Sequence, residues 1–281
     1  MKHSIARSSI ACLALGLASS HAALIAHYTF DEGSGATVAA NEVSGSTAGA
    51  VGTLVTTGLT GVSGNAYGFT GAAAQDNIVD MGNASFLSAI TTSGEYTFSA
   101  WVNSSELAGG RNVVVFAGDA ADSNSYIDLG TAIDGLDPVG QAYMRHRVDT
   151  NGAGSTSYFG GSDGVVVDGT WHHIVMTGNA ATTTISLYVD GVFMTDGTLV
   201  PGSSGNFPLL NNFEIGRLGR SSPTDGYEGL VDDVQVYDQA LNSNQISYLF
   251  NNPGLAVPEP TSLALGGLGL LTLLRRKRRQ A

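Results

Sequence analysis

Between Leu24 and about Leu241 apolar residues alternate with polar ones in short runs, separated by clusters of Gly, Asn, Asp and Ser. A period of two puts successive side chains on opposite faces of an extended chain, so each run buries its apolar face only within a sheet that packs on another layer. The expected strands are Leu24 to Phe30, Tyr67 to Phe69, Ile78 to Met81, Tyr96 to Val102, Asn112 to Phe116, Tyr126 to Leu129, Ala142 to Val148, Trp171 to Met176, Thr184 to Val189, Val192 to Met194, Phe213 to Arg217 and Gly229 to Tyr237. No long helical period interrupts them, which predicts an all-β, two-sheet antiparallel sandwich. Asp190-Gly191 between two such runs predicts a two-residue hairpin turn, because both central positions need positive φ. Asn242 or Ser243 is expected to cap a short helix through Phe250, with Ile246, Leu249 and Phe250 as its apolar face. With no second core-sized segment and no fixed repeat, residues 23–252 read as one domain, and residues 253–281 as linker and tail.

Composition bounds what such a domain does. The chain's 43% hydrophobic residues, with 10 Tyr, 10 Phe and 2 Trp, supply enough apolar surface to offset chain entropy despite 38 Gly. Lys2, Arg7 and the five cations from Arg275 to Arg279 lie at the ends, leaving five arginines, no lysine and 23 acids between, a net charge of −18. Such a surface repels nucleic acid and anionic lipid, and divalent cations are its natural counter-ions. A surface kept soluble by its acids accounts for the same charge.

Both ends carry export signals. Lys2, His3 and Arg7 precede a short apolar core from Ile10 to Ala18, and Ser20-His21-Ala22 offers a small-x-small cleavage site, so residues 1–22 read as a removable signal peptide. Its loss removes Cys12, the only cysteine, and leaves a domain without disulfides. At the other end Val257-Pro258-Glu259-Pro260 leads into an apolar run from Thr261 to Leu274 and a basic end from Arg275 to Arg279. The run is shorter than the usual span of about 20 residues, yet five consecutive cations cannot follow a helix into a protein core. A transient membrane insertion with the charges held in the cytoplasm is expected. This tail resembles the PEP-CTERM sorting signal of Gram-negative bacteria, in Pro258-Glu259-Pro260, the apolar helix 261–274 and the basic end that opens with Arg275 and Arg276. The resemblance implies an exosortase-type enzyme as partner, cleavage near Pro258 to Pro260, and delivery to the cell surface or extracellular matrix.

Five ordered segments resemble the laminin-G-like, concanavalin A-like jelly-roll family. They are Ala26 to Gly35 (AHYTFDEGSG), Tyr96 to Val102 (YTFSAWV), Gly169 to Val175 (GTWHHIV), Leu187 to Gly191 (LYVDG) and Gly229 to Tyr237 (GLVDDVQVY). The resemblance implies a jelly-roll sandwich used in binding and adhesion, often with one Ca²⁺ at its edge.

Asp232 shares the strand parity of Val234 and Val236 and so is expected to face the core near the strand's start. A carboxylate there needs either hydrogen bonds from a loop or a hard cation with six to eight oxygens. By resemblance the second acid falls on Glu42, with Asn41 as the alternative donor, and Asp31 is a third candidate ligand or a plain turn acid. His172 and His173 are adjacent on a strand and point to opposite faces, so one packs inward and the other faces out. Trp101 and Trp171 read either as core or as a platform on which a sugar ring stacks.

The functional expectation is an exported, non-catalytic binding or adhesion module for polysaccharide or a surface protein. A glycoside hydrolase on the same fold needs two converging carboxylates, and the six domain glutamates are scattered with no Glu-x-Asp-x-x-Glu strand. A purely structural matrix protein is the third alternative.

Overall fold

The computed structural model describes residues 22–106, 110–122, 124–132, 139–148, 155–199 and 209–258, with the backbone alone at 132 and 155–164. The chain begins with β1 (Leu24–Tyr28), β2 (Val38–Ala39), β3 (Gly49–Val51), β4 (Thr56–Thr60), β5 (Asn65–Thr70) and β6 (Val79–Gly82), followed by helix α1 (Leu87–Ser93). The middle comprises β7 (Glu95–Asn103), β8 (Arg111–Gly118), β9 (Tyr126–Ala132), β10 (Gln141–Val148), β11 (Ser155–Val165) and β12 (Trp171–Asn179). It closes with β13 (Thr184–Val189), β14 (Val192–Thr198), β15 (Asn212–Ile215), β16 (Glu228–Tyr237) and helix α2 (Ser243–Asn251).

These strands form two antiparallel sheets. One, here the terminal sheet, runs β14-β13-β12-β7-β16-β5-β4 with β1 also on β16; the second runs β11-β10-β9-β8-β15-β6-β3-β2. The predicted alternation sets their facing sides. Along β7, Tyr96, Phe98, Ala100 and Val102 enter the inter-sheet core, where they meet Ile127, Leu129, Ala142 and Met144 of the second sheet. At about 25 cal/mol per Å² of apolar area, this layer is the main force for folding.

The opposite face of the terminal sheet has its own small core. Val175, Tyr237 and Leu241 pack beneath Ile246 and Leu249 of α2. Asn242 caps that helix as expected: its Oδ1 accepts from the amides of Asn244 and Gln245, and Gln245 Oε1 accepts from Asn242 N–H at 2.9 Å. Asp190 and Gly191 take φ of 50° and 76°, as the hairpin requires.

Three features depart from expectation. The folded unit runs beyond residue 252: Gly254 N–H donates to Asp233 Oδ2 (2.7 Å), Gln235 Nε2 to Leu255 O (3.3 Å), and Val257 N–H to Tyr237 Oη (3.0 Å). The segment after α2 is therefore part of the domain edge. β15 stops at Ile215 instead of Arg217 because Gly216, at φ 106°, turns the chain. And α1 and β2–β4 lie in Ser-, Thr- and Gly-rich segments whose few apolar residues carry no period.

Candidate functional site

Strand β16 exchanges neighbours halfway along. Glu228 to Val231 pair with β5, whereas Val234 to Tyr237 pair with β1, and between them the register with β7 slips from Asp232 to Gln235. Asp233 absorbs the slip at φ 48°. This bulge overturns the parity argument for Asp232: Val231, Val234 and Val236 all face the core, while Asp232 lies opposite Trp101 on the other face.

Asp232 is nonetheless fully buried, because the β4–β5 turn folds over it. Its Oδ2 accepts from Val62 N–H (2.8 Å) and Ser63 N–H (3.1 Å). Asp31 holds the same turn from the other side, its Oδ1 accepting from Asn65 N–H at 2.9 Å. Phe30, at φ 53°, redirects the chain after β1 so that its ring stacks on Tyr67 at 4.3 Å and Asp31 reaches the turn. Cβ atoms at Gly61 and Gly64 would collide with the Asp232 and Asp31 carboxylates, so glycine is required for this close approach. Glu42 is exposed and joins neither acid; its backbone N–H donates to His27 O, and Asn41 spends Oδ1 on His27 N–H and Val43 N–H. Asp31 and Asp232 thus meet through a turn and Glu42 stays apart. Among the described residues no group of three or more His, Cys, Asp or Glu is gathered to hold a metal ion.

Asp232 Oδ1 has no hydrogen-bond partner, and burial, reinforced by the Asp233 charge, pushes the carboxyl up to about 7. The folded state therefore holds a proton that the unfolded chain releases near pH 4, so this residue opposes folding increasingly as pH rises from about 4 to 7. Asp232→Asn removes that term. The variant's stability is expected to gain on the order of 2–4 kcal/mol relative to the parent between pH 4 and 7, read from denaturant midpoints. A parallel pH dependence in the two proteins would show that the carboxyl is ionised at low pH.

The histidines take opposite faces as expected, but the buried one lies with Trp101 and Phe250 of α2 and not between the sheets. His173 is buried, its Nε2 2.8 Å from Ser99 Oγ, and burial lowers its pKa to about 4. His172 lies between Asp190 (Nδ1 to Oδ2, 2.9 Å) and Asp168 (Nε2 to Oδ1, 3.2 Å), and its hydrogen bond to Asp190 raises its pKa. The tryptophans divide too: Trp101 is 5% exposed, stacked on Phe250 of α2 at 5.6 Å, whereas Trp171 is only partly buried.

All five arginines between the two ends belong to β8, β10 and the loop after β15. Asp128 in β9 takes Arg145 Nε and Nη2 at 2.8 and 2.7 Å and Tyr143 Oη at 2.7 Å. Glu214 in β15 takes Arg217 Nε and Nη2 at 2.7 and 3.0 Å and Asn212 Nδ2 at 3.0 Å. Both carboxylates are buried, doubly bonded to a guanidinium, and have no oxygen left over for a reacting proton.

Among the described residues an open concavity lies on the outer face of the terminal sheet. A groove of about 340 Å³ is lined by Thr56, Leu59, Gly68, Thr70, Asn103, Ser104, Glu106, Glu228 and Leu230, among others. Its floor is one register row: Thr56 faces Gly68, Gly68 faces Leu230, and Leu230 faces Asn103. Gly68 leaves the floor low, where a Cβ would press on Leu59. Asn103 in turn faces Trp171, which extends the row by one strand with a partly exposed indole. Trp171 was one of two platform candidates in the sequence; the polar rim was not visible there, because its residues come from four separate segments.

Of the sorting-signal residues, Pro258 is exposed at the end of the described chain; Glu259, Pro260, Arg275 and Arg276 lie outside the described residues, as do the signal peptide up to His21 and the apolar run 261–274. Among the described residues no helix is long and apolar enough to cross a membrane.

Residues 256–279 match the PEP-CTERM protein-sorting motif, which marks export and membrane-associated sorting by an exosortase. No curated protein matches the chain in sequence. In structure it is similar to domain 4 of an extracellular arabinanase from Geobacillus stearothermophilus, solved in complex with arabinotriose (21% identity, 82% of this chain, 99% of that one, TM-score 0.52). It is also similar to the binding domain of Paraclostridial Mosquitocidal Protein 1 (15%, 81% and 52%, 0.59) and to Trypanosoma rangeli sialidase (19%, 81% and 32%, 0.53), so that it spans about half of the one and a third of the other. At these identities the likeness establishes the sandwich and nothing finer. A family model covers residues 74–247, most of the domain, and on that match the chain belongs to the concanavalin A-like lectin/glucanases superfamily.

Proposed function

We propose that this protein is an exported, non-catalytic carbohydrate-binding module acting at the cell surface or in the extracellular matrix. The observation that carries the reading is the groove on the terminal sheet: a floor kept low at Gly68, polar Asn, Ser and Thr residues in the lining, and Trp171 paired with Asn103 one strand beyond it. An indole face receives the C–H face of a pyranose, and short polar side chains around it hydrogen-bond its hydroxyls. The volume suits one or two sugar rings. The similar arabinanase domain, solved in complex with arabinotriose, and the similar toxin binding domain agree with this use of the fold.

Charge narrows the ligand. Glu106 and Glu228 stand in the lining and none of the described lining residues is cationic, in a domain of net charge −18. Neutral or amino sugars are compatible with that field, and uronate polymers are repelled.

Isothermal titration of the exported protein against neutral oligosaccharides is expected to give saturable binding. Trp171→Ala is expected to weaken it at least tenfold, as loss of an aromatic anchor does, with an unchanged melting point. Polygalacturonate should bind at least tenfold more weakly than neutral glycans at low salt. Equal affinity of parent and Trp171→Ala for every sugar would refute the groove.

A second reading is favoured by one observation: Glu106 and Glu228 line the same groove, and paired carboxylates are what glycoside hydrolysis requires. Release of reducing sugar that disappears in both Glu106→Gln and Glu228→Gln would establish it. Retained binding without any hydrolysis supports the first reading.

A further inference from the structure

Asp238, just past β16, holds the opposite end of the chain. Ala23 N–H donates to Asp238 Oδ1 at 2.8 Å, and Asp238 N–H donates back to Ala23 O at 3.2 Å. Leu24 then pairs with Tyr237. Among the described residues Ala23 is therefore the first hydrogen-bonded to this edge, with Ala22 packed against the neighbouring cluster, and it directly follows the small-x-small triplet Ser20-His21-Ala22. We propose that export cleaves the Ala22–Ala23 bond and that Asp238 is the built receptor for the α-ammonium this creates, so that processing adds an ion pair at the point where both ends of the domain meet.

The chemistry balances with water and a signal peptidase as catalyst. The Ala22–Ala23 amide C–N bond breaks, the hydroxyl of water goes to the Ala22 carbonyl carbon, and its hydrogen goes to the Ala23 nitrogen. Below the pKa of an α-amine, about 8, that nitrogen takes a further proton. The same atom that gave Asp238 one neutral N–H then offers three donors and a unit charge, without moving. Charge-assisted bonds of this kind are about twice as strong as neutral ones.

The surroundings suit a cation that arrives only by cleavage. The domain has no lysine, and its five arginines belong to β8, β10 and the loop after β15, all of the second sheet. The titratable members of the cluster beside Ala23 are Tyr237, Tyr188 of β13 and Tyr248 of α2, with Asp238 bonded to Ala23 itself and Glu95 accepting from Ala240 N–H; the same strands carry His27 of β1, Glu228, Asp232 and Asp233 of β16, and His172 and His173 of β12 farther along. Val257, the last residue before Pro258, packs in the same cluster and bonds Tyr237 Oη. The cleaved N-terminus and the start of the sorting signal are thus neighbours on one edge.

The exported protein, purified after processing by its host, is expected to begin at Ala23 by intact mass and N-terminal sequencing. Its α-amine, followed by pH-dependent labelling, is expected to titrate above the ordinary value of about 8, and to return to that value in Asp238→Asn. Selective Nα-acetylation of the parent protein supplies a test that needs no variant. A pKa raised in the folded state adds stability below about pH 8 that is lost as pH rises through the raised value. Acetylation should therefore lower the melting temperature at pH 7, and the gap should close by about pH 10. A mature chain that starts at another residue overturns the proposal. So does an α-amine that titrates identically with and without Asp238, or an acetylated protein that melts with the parent at every pH.

Discussion

Arg145→Ala is expected to destabilise the domain by about 3–5 kcal/mol, the cost of leaving a buried carboxylate without its cation. Asp128 is fully buried and Arg145 is 4% exposed, so water cannot replace the two guanidinium bonds at 2.7 and 2.8 Å. The guanidinium also lies over the Tyr126 ring at 4.6 Å, an added contact that truncation removes. Removing both charges is predicted to be milder. Arg145→Met combined with Asp128→Leu should be more stable than Arg145→Ala alone, because the desolvation cost disappears with the pair. Denaturant unfolding of the three proteins decides the matter. A loss below about 1 kcal/mol in Arg145→Ala would place the pair in solvent.

Trp101→Ala is the second large effect, at about 3–5 kcal/mol for deleting a buried indole. The ring is held between His173, at 5.1 Å, and Phe250 of α2, at 5.6 Å, so the cavity opens at the helix–sheet contact. Its Nε1 has no hydrogen-bond partner. Trp101→Phe therefore deletes a buried, unpaired donor along with some volume, and should cost less than about 1.5 kcal/mol. If the indole served a ligand through Nε1, the order would differ: Phe would abolish sugar binding while sparing stability. The contrast with Trp171, whose replacement is expected to affect binding and not stability, separates the two tryptophans experimentally.

The sandwich was legible wherever alternation was strong. β7, β12 and β13 bury every second residue between layers or beneath α2, and their hydrophobic period is written in the chain; so are the α2 cap and the Asp190-Gly191 turn. β2 to β4 were not legible, since strands such as Val38–Ala39 and Gly49–Val51 are too short and too poor in apolar residues to have a period. The bulge at Asp232 and Asp233 is a different case. Nothing in Val-Asp-Asp-Val signals an extra residue, because the slip arises where β16 trades β5 for β1, a tertiary event. It reversed the face assigned to Asp232. For the site, the sequence marked Trp171 as an aromatic with two possible uses; the fold stacks Trp101 on Phe250 of α2 and leaves Trp171 partly buried, one strand beyond Asn103 of the groove. The groove's rim, drawn from β4, β5, β7 and β16, exists only once those strands lie side by side.

Sugar is expected to sit on the outer face of the terminal sheet. The most direct measurement is an NMR titration of the processed protein with a neutral oligosaccharide, following backbone amides. Shifts concentrated at Gly68, Asn103, Ser104, Trp171 and Leu230, and lost in Trp171→Ala, are what the groove predicts. Shifts centred instead on Tyr126, Tyr143 and Arg147 of the second sheet, or no shifts with any glycan, would contradict it.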